Sequence, residues 1–171
     1  MSWQPLAFET EEWDEKLAFA QGVLEELRTR LTIPSERLPR EAVRILECVH
    51  RDLFDPELNV AAVRRRCGLR NNNISTRFRQ AVGVGLRDYI ESIRIRAASF
   101  LLRYPDLEIH LIGKVVGYVH QETFCRAFRR CADCTPSQWR ETSVPILRRA
   151  CVAPSSLTGG GAFALRPSEV R

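Results

Sequence analysis

The stretch IHLIGKVVGYVHQETFCRAFRRCADCTPSQWR, residues 109–140, decides the fold. A short apolar segment runs to Gly117, and an amphipathic segment follows in which Phe124 and Phe128 lie four residues apart. Glycine at a helix C-cap, then a few polar residues and a second amphipathic helix, is the pattern of a helix-turn-helix. The spacing therefore predicts a helix-turn-helix whose second helix lies near residues 121–131.

An earlier copy of the same pattern lies at residues 60–89, which we call the first motif; the copy at residues 109–139 is the second motif. The offset is 49 residues up to the glycine and 50 after it. The matched positions are Val60 and Ile109, Val63 and Ile112, Cys67 and Val116, Gly68 and Gly117, Ile74 and Phe124, Phe78 and Phe128, Gly83 and Asp133, and Tyr89 and Trp139. Such a repeat indicates a duplicated structural unit, which predicts another recognition helix near residues 72–81.

The segment that connects the motifs, LRDYIESIRIRAASFLLRY (residues 86–104), has helical apolar spacing and is followed by Pro105. A helix of about 18 residues is about 27 Å long, enough to hold two recognition helices near one DNA turn apart, about 34 Å. No alternating strand pattern persists in this part of the chain. The predicted fold is all-α, with two helix-turn-helix subdomains joined by a long linker helix.

Charge divides the chain of 171 residues, with net +5, into three segments. Residues 1–38 carry net −4, residues 39–141 carry +6 and residues 142–171 carry +3. A basic segment of this size beside an acidic one indicates a domain that binds a polyanion, with an appendage. The last segment is rich in Gly, Ser and Pro and is predicted to be disordered.

The acidic segment predicts an amphipathic helix from about Thr10 to Leu31. Its apolar stripe has the 4,3,4,3,4 spacing of a coiled-coil seam and consists of Trp13, Leu17, Ala20, Leu24, Leu27 and Leu31. A stripe this short packs either on its own domain or on a second copy of the chain, so a homodimer through residues 13–31 is one of two alternatives.

The sequence gives little support for a membrane span, a secretory signal, a metal or redox site, or catalysis. No apolar run is long enough for a membrane span, and the acidic start does not resemble a secretory signal, so we expect a reducing cytoplasm and free thiols. Cys131 and Cys134 form a single CxxC, a weak zinc or redox signal without a second pair. The three histidines show no triad arrangement and the GGG of the last segment lacks a phosphate-loop pattern. We therefore expect no enzyme activity, no metal and no cofactor.

Residues 42–140 resemble the DNA-binding domain of AraC/XylS-type bacterial transcription regulators. In the second motif the matching residues are Ile109, Ile112, Gly117, Tyr118, Phe124, Arg126, Phe128, Thr135, Pro136, Trp139 and Arg140. The looser matches of the first half are Gly68, Leu69, Ile74, Phe78, Gly83, Tyr89, Arg94 and Ala97. The resemblance implies seven helices, two of them in adjacent major grooves. It also implies promoter DNA and RNA polymerase as partners, an activator role, and a place on the nucleoid in the bacterial cytoplasm.

Four positions depart from the family pattern. Arg64 and Gly113 stand where the family usually has a small alanine, and Gly113 is expected to weaken its helix by about 1 kcal/mol relative to Ala. Asp133 replaces a usual glycine, and Arg70 replaces a usual capping serine.

The candidate DNA-binding residues lie opposite the apolar positions on a helical wheel, and the base-reading positions implied by the resemblance fall on the same arcs. The predicted base-reading residues are Asn72, Ser75, Thr76, Glu122, Cys125 and Arg126. The predicted contacts to the DNA backbone are Arg65, Arg66, Arg77, Arg79, Arg129 and Arg130. Since Ser75 and Thr76 are short, the second helix is expected to carry more of the specificity.

Two functions of different classes follow from the sequence. The first is a sequence-specific, DNA-binding transcription regulator. The alternative is a protein-interaction module or degenerate remnant that acts through the stripe of residues 13–31. Many members of the resembling family carry an effector-binding β domain, for which about 38 residues are too few. Either regulation occurs through abundance and partners, as in single-domain members, or the chain is a fragment.

Overall fold

The computed structural model describes residues 7–33, 35–69 and 74–147. These residues form eight α-helices and one 3-10 turn, and they contain no strand. The helices are α1 (Ala7–Thr29), α2 (Arg40–Arg51), α3 (Val60–Arg66), α4 (Ile74–Val82), α5 (Leu86–Leu101), α6 (Ile109–Val115), α7 (Gln121–Ala132) and α8 (Pro136–Leu147). The predicted all-α class is confirmed. Within these residues no helix is long and apolar enough to cross a membrane.

The first motif folds as α3 and α4, which pack with α2 around one apolar core. Val63 and Phe78 are fully buried at its centre. Asn59 starts α3, because its side-chain oxygen accepts a hydrogen bond from the amide of Ala62 at 2.9 Å. Such a cap satisfies one of the four free amides at a helix start.

The second motif folds as α6 and α7, and α8 closes its core. Three aromatic rings stack edge to face there: Phe124 on Phe128 at 5.8 Å, and Phe128 on Trp139 at 6.0 Å between ring centres. At the start of α8, Thr135 and Gln138 exchange hydrogen bonds between side chain and amide at 2.9 and 3.2 Å, which is a capping box.

The linker helix α5 belongs to both cores. Its N-terminal half contributes Ile90 and Ile93 to the first core, and its C-terminal half contributes Ile95 and Leu101 to the second. It ends three residues before the predicted Tyr104, since the chain turns ahead of Pro105 as residues before a proline tend to do. Its 16 residues correspond to a length of about 24 Å.

The sequence repeat is also a repeat of backbone conformation. Gly68 (φ 62°) and Gly117 (φ 93°) turn the chain after the first helix of each motif, and Gly83 (φ 88°) and Asp133 (φ 57°) turn it after the second. Gly113 has a packing role in addition, because a Cβ atom there would lie 3.2 Å from the ring of Phe124. The missing methyl group thus makes room for an aromatic ring of the second core.

Helix α1 lies across α5 and α6. Ala20 and Leu24 are buried in the second core, and the ring of Trp13 stacks on His110 at 5.1 Å. Beyond the end of α1, Leu31 packs against the first core. The stripe of residues 13–31 thus faces its own domain, the first of the two predicted alternatives, and a homodimer through that stripe would require α1 to leave this site.

At the other end of the chain, α8 includes the first six residues, 142–147, of the predicted tail. Pro145 lies in its last turn, where a proline removes one amide donor without ending the helix at once. The remainder of the predicted tail, from residue 148 onward, lies outside the described residues.

Candidate nucleic-acid interface

Helix α7 presents a polar face opposite the buried rings of Phe124 and Phe128. Glu122 and Arg126 are exposed on this face, and Cys125 is half-buried on its flank. This exposure is the one that the helical wheel predicts. Their contact with DNA bases stays a prediction.

Helix α4 is arranged in the same way around the buried side chains of Ile74 and Phe78. Ser75 and Thr76 are exposed on it. The third predicted base-reading residue of this helix, Asn72, lies outside the described residues. What the structure describes of this face therefore carries only short hydroxyl side chains at base-reading positions.

The six arginines predicted to contact the DNA backbone fall into two groups. Three are tied to carboxylates of the same chain: Arg66 to Asp52 at 3.0 Å and Asp55 at 2.6 Å, Arg77 to Glu41 at 2.9 Å, and Arg130 to Glu91. Within the part of the chain that the structure describes, the other three have no ion-pair partner, and neither has the predicted base reader Arg126. Those three are Arg65, Arg79 and Arg129, all exposed. The second group is thus available to phosphates without breaking an existing bond.

The ion pairs also perturb the carboxylates. The hydrogen bond from Arg66 is the largest cause of the lowered pKa of Asp55, and the hydrogen bond from Arg51 is the largest cause for Asp52. Both carboxylates therefore stay charged near neutral pH and hold the end of α3 against the segment that follows α2.

Burial makes the thiols of the cysteines near α7 weaker acids than a free cysteine. Burial raises the pKa of Cys131 to about 11 and also raises the pKa values of Cys125 and Cys134. Since the thiolate is the metal ligand and the nucleophile, these thiols are poorly suited to either role. Among the residues that the structure describes, no three His, Cys, Asp or Glu side chains gather as a metal site would require.

Sequence reasoning missed a residue that joins the two motifs. Arg94 lies in the middle of α5 with 7% of its surface exposed, and its guanidinium donates hydrogen bonds to the carbonyls of Leu53, Asp55 and Gly117. A signal was present, because Arg94 lies between Ile90 and Ala97 on the apolar stripe of α5, where a charge is unusual.

Comparisons with known proteins support the assignment of the two motifs as helix-turn-helix units. A family model for a helix-turn-helix domain matches residues 63–142. Regulatory protein SoxS of Escherichia coli K12 is 37% identical over 87 residues, which cover 51% of this chain and 81% of SoxS. The chain belongs to the AraC/XylS family.

Two further similarities agree with membership of the AraC/XylS family. The arabinose operon regulatory protein of Escherichia coli K12 is 29% identical over 117 residues, 68% of this chain but only 39% of that protein. The C-terminal domain of AraT, a response regulator from Geobacillus stearothermophilus, aligns with a TM-score of 0.59 at 26% identity and covers 62% of this chain and 88% of that domain. The chain thus contains the helix-turn-helix DNA-binding domain of the AraC/XylS family and spans under half of the arabinose regulator. These relatives are named as regulatory proteins, not as enzymes.

Proposed function

We propose that the chain is a sequence-specific regulator of transcription that places α4 and α7 in two adjacent major-groove segments of promoter DNA. The observation that carries this proposal is the duplicated motif, in which both second helices turn a polar face to solvent and pack in the two cores that share the linker helix α5. An α-helix fits the major groove, and a second one on a fixed spacer doubles the length of sequence that is read.

Helix α7 is proposed to carry most of the specificity. The guanidinium of the exposed Arg126 is the donor that pairs with guanine O6 and N7, and the carboxylate of Glu122 is an acceptor for cytosine N4. A good bidentate pair contributes roughly 1 to 3 kcal/mol against a wrong base. On α4, Ser75 and Thr76 reach less far, so this helix adds affinity and register more than base identity. Asn72, two residues before α4 in the sequence, is the proposed adenine reader.

The proposed phosphate contacts come first from Arg65, Arg79 and Arg129, the arginines without a carboxylate partner among the described residues. Arg66, Arg77 and Arg130 would have to share or break their ion pairs before they bind phosphate, and we expect a smaller share from them. Such contacts position the protein without reading sequence.

Partners beyond DNA follow from family membership alone. We propose RNA polymerase as the protein partner, activation as the sign of regulation, and chromosomal DNA of the nucleoid, in the cytoplasm, as the place of action. The domain described here supports these proposals only through its likeness to regulators.

Selection from random duplexes at physiological salt tests the proposal. The purified chain should enrich a sequence with two segments about one helical turn apart, at least about 10³-fold above non-specific binding. Enrichment of no sequence above the non-specific background would refute it.

The variant Arg126→Ala then tests whether α7 reads the second segment. Arg126→Ala should lose discrimination at one base position of that segment and leave the other segment unchanged, since it removes a single base contact. Arg30→Ala, which removes an exposed arginine directly after α1 that is paired with Glu26, is the matched control and should change nothing. A variant that weakens binding equally on all sequences would make Arg126 a phosphate contact instead.

The structure gives less support to the alternative function, a protein-interaction module that acts through the stripe of residues 13–31. Its stripe is not a free surface, because Leu24 is only 3% exposed and lies in the second core. A partner would have to compete with α5 and α6 for the same face of α1.

A further inference from the structure

The two motifs meet at a buried arginine. The Nε of Arg94 donates to the carbonyl of Leu53 at 2.8 Å, one terminal nitrogen to Asp55 at 2.6 Å, and the other to Gly117 at 3.0 Å. Leu53 and Asp55 follow α2 and belong to the first subdomain, whereas Gly117 is the turn residue of the second motif. One side chain therefore holds main-chain groups of both subdomains.

The packing around Arg94 does not by itself require a charged side chain at this position. Arg94 has no carboxylate within ion-pair distance among the described residues, and burial lowers its pKa, so the cation is held by carbonyl dipoles. Burying a cation costs free energy that an apolar side chain of similar volume would not cost. What the guanidinium adds is geometry, since its planar fork fixes several acceptors at once.

We call the contact that Arg94 makes between the loop after α2 and the turn of the second motif the joint. On the side of the second motif, the turn at Gly117 is shaped around the Arg94 side chain. A Cβ atom on Gly117 would lie 2.9 Å from the Arg94 guanidinium carbon and 3.0 Å from the carbonyl oxygen of Phe54, and φ there is +93°. The Tyr118 ring lies next to the guanidinium, with its centre 5.8 Å away. Phe54 packs against both cores. The loop after α2 and the turn of the second motif are thus in direct contact through Arg94.

Each anchor of Arg94 is connected to a DNA-reading helix. Gly117 lies four residues before the start of α7. Asp55 binds Arg66 at the end of α3 through its carboxylate while its carbonyl binds Arg94, and α3 leads into α4. A change at Arg94 would therefore alter the angle between the two motifs without touching either exposed face.

We propose that Arg94 is a positioning residue that fixes the orientation of α4 relative to α7, and thereby the distance between the two DNA segments that the chain reads. This inference rests on the proposed function, because it requires that both helices bind DNA. Rigid coupling raises the effective concentration of the second helix at its segment, and loosening the joint lowers it.

The test is a spacing series on the selected site. Duplexes with one or two base pairs inserted or deleted between the segments, and duplexes with one segment scrambled, are titrated by fluorescence anisotropy. The wild type should bind the native spacing at least about 10-fold more tightly than any altered spacing, as expected for a rigid pair of modules.

Arg94→Lys keeps the charge but has no planar fork to reach three carbonyls. It should lose about 10-fold in affinity on the native spacing, flatten the spacing profile to within about 3-fold, and leave binding to the scrambled single-segment duplexes unchanged. Gly117→Ala displaces the guanidinium from the other side and should flatten the profile in the same way. Leu111→Ala, which removes buried apolar volume from the second core and leaves the joint intact, controls for lost stability and should keep the wild-type profile.

The outcomes separate this inference from the proposed function. A wild type that enriches no sequence refutes the proposed function. An Arg94→Lys variant with the wild-type spacing profile overturns the role of Arg94 alone. A wild type that reads one segment only overturns both the placement of the two helices and the role of Arg94. If circular dichroism shows both joint variants unfolded at the assay temperature while Leu111→Ala is folded, Arg94 is a folding residue and the inference is also overturned.

Discussion

His50 is buried in the folded chain, and its burial favours the neutral form of the imidazole. It is 8% exposed, its Nε2 lies 2.7 Å from the hydroxyl of Tyr89, and burial lowers its pKa from 6.5. Below about pH 6.5 the unfolded chain binds this proton more readily than the folded chain, so stability is present above that pH and is lost as the pH falls. Urea unfolding at about pH 7.5 and 5.5 should show the loss, by up to roughly 1.4 kcal/mol per pH unit.

His50→Gln provides the comparison, because glutamine still bonds to Tyr89 but does not titrate. The variant should show a smaller drop between the two pH values, and above about pH 7.5 the two proteins should run parallel, since His50 is then neutral in both states. Equal slopes for both proteins at low pH would contradict this account of His50.

Asp133 occupies a backbone conformation that favours glycine. Its φ of 57° is left-handed, and it is the one described residue other than glycine with positive φ. Asp133→Gly should raise the free energy of unfolding by about 1 kcal/mol, which is about 3 °C in Tm for a domain of this size. The reciprocal change at the equivalent turn, Gly83→Asp, should lower it, and thermal unfolding of both measures the pair. A lower Tm for Asp133→Gly would show that the aspartate side chain stabilises the turn by more than the backbone strain costs.

Helices that pack locally were readable from the sequence, whereas long-range partners were not. Phe124 and Phe128, four residues apart, predicted the buried face of α7, and the structure has it there. The carboxylate that binds Arg130 lies 39 residues earlier, at Glu91 on α5, and no local period predicts such a pairing. Arg94 was missed, although its position on the apolar stripe of α5 was a signal of burial. Its carbonyl partners exist only once the two subdomains have met.

Helix α1 precedes the two motifs, and its contacts predict that it stabilises the folded domain. Leu24 is 3% exposed in the second core, and at the end of α1 Arg28 donates to the carbonyl of Arg51 at 2.7 Å, at the end of α2. The helix therefore contacts both subdomains. Leu24→Ala should lower the free energy of unfolding by roughly 2 to 5 kcal/mol, as buried leucines do.

Phe19 on the same helix is the matched control. It is 47% exposed and touches the ring of Tyr104 edge to face, so Phe19→Ala should cost less than about 1.5 kcal/mol in the same urea experiment. If both variants changed stability equally little, α1 would not be part of the folded domain.

At the scale of the whole molecule, the 18 basic residues of residues 39–141 overstate the number of cationic groups that are free to meet DNA. Some are engaged inside the fold, where Arg66, Arg77 and Arg130 bind carboxylates and Arg94 is buried among carbonyls. The exposed arginines of α4 and α7 that have no carboxylate partner among the described residues are Arg79, Arg126 and Arg129. Salt dependence of binding measures this difference, because each phosphate contact releases counterions.

Arg129 and Arg130 allow the sharpest comparison, since they are neighbours on α7 and both are exposed. Removing either one changes the net charge equally, so the long-range field is matched. Arg129→Ala should reduce the slope of log K against log salt by about 1, the value for one lost phosphate contact. Arg130→Ala should reduce it by markedly less, because that guanidinium is bound to Glu91 and is already partly neutralised. Equal slope changes would mean that Arg130 leaves Glu91 when DNA arrives, and a Glu91→Gln variant should then bind all sequences more tightly.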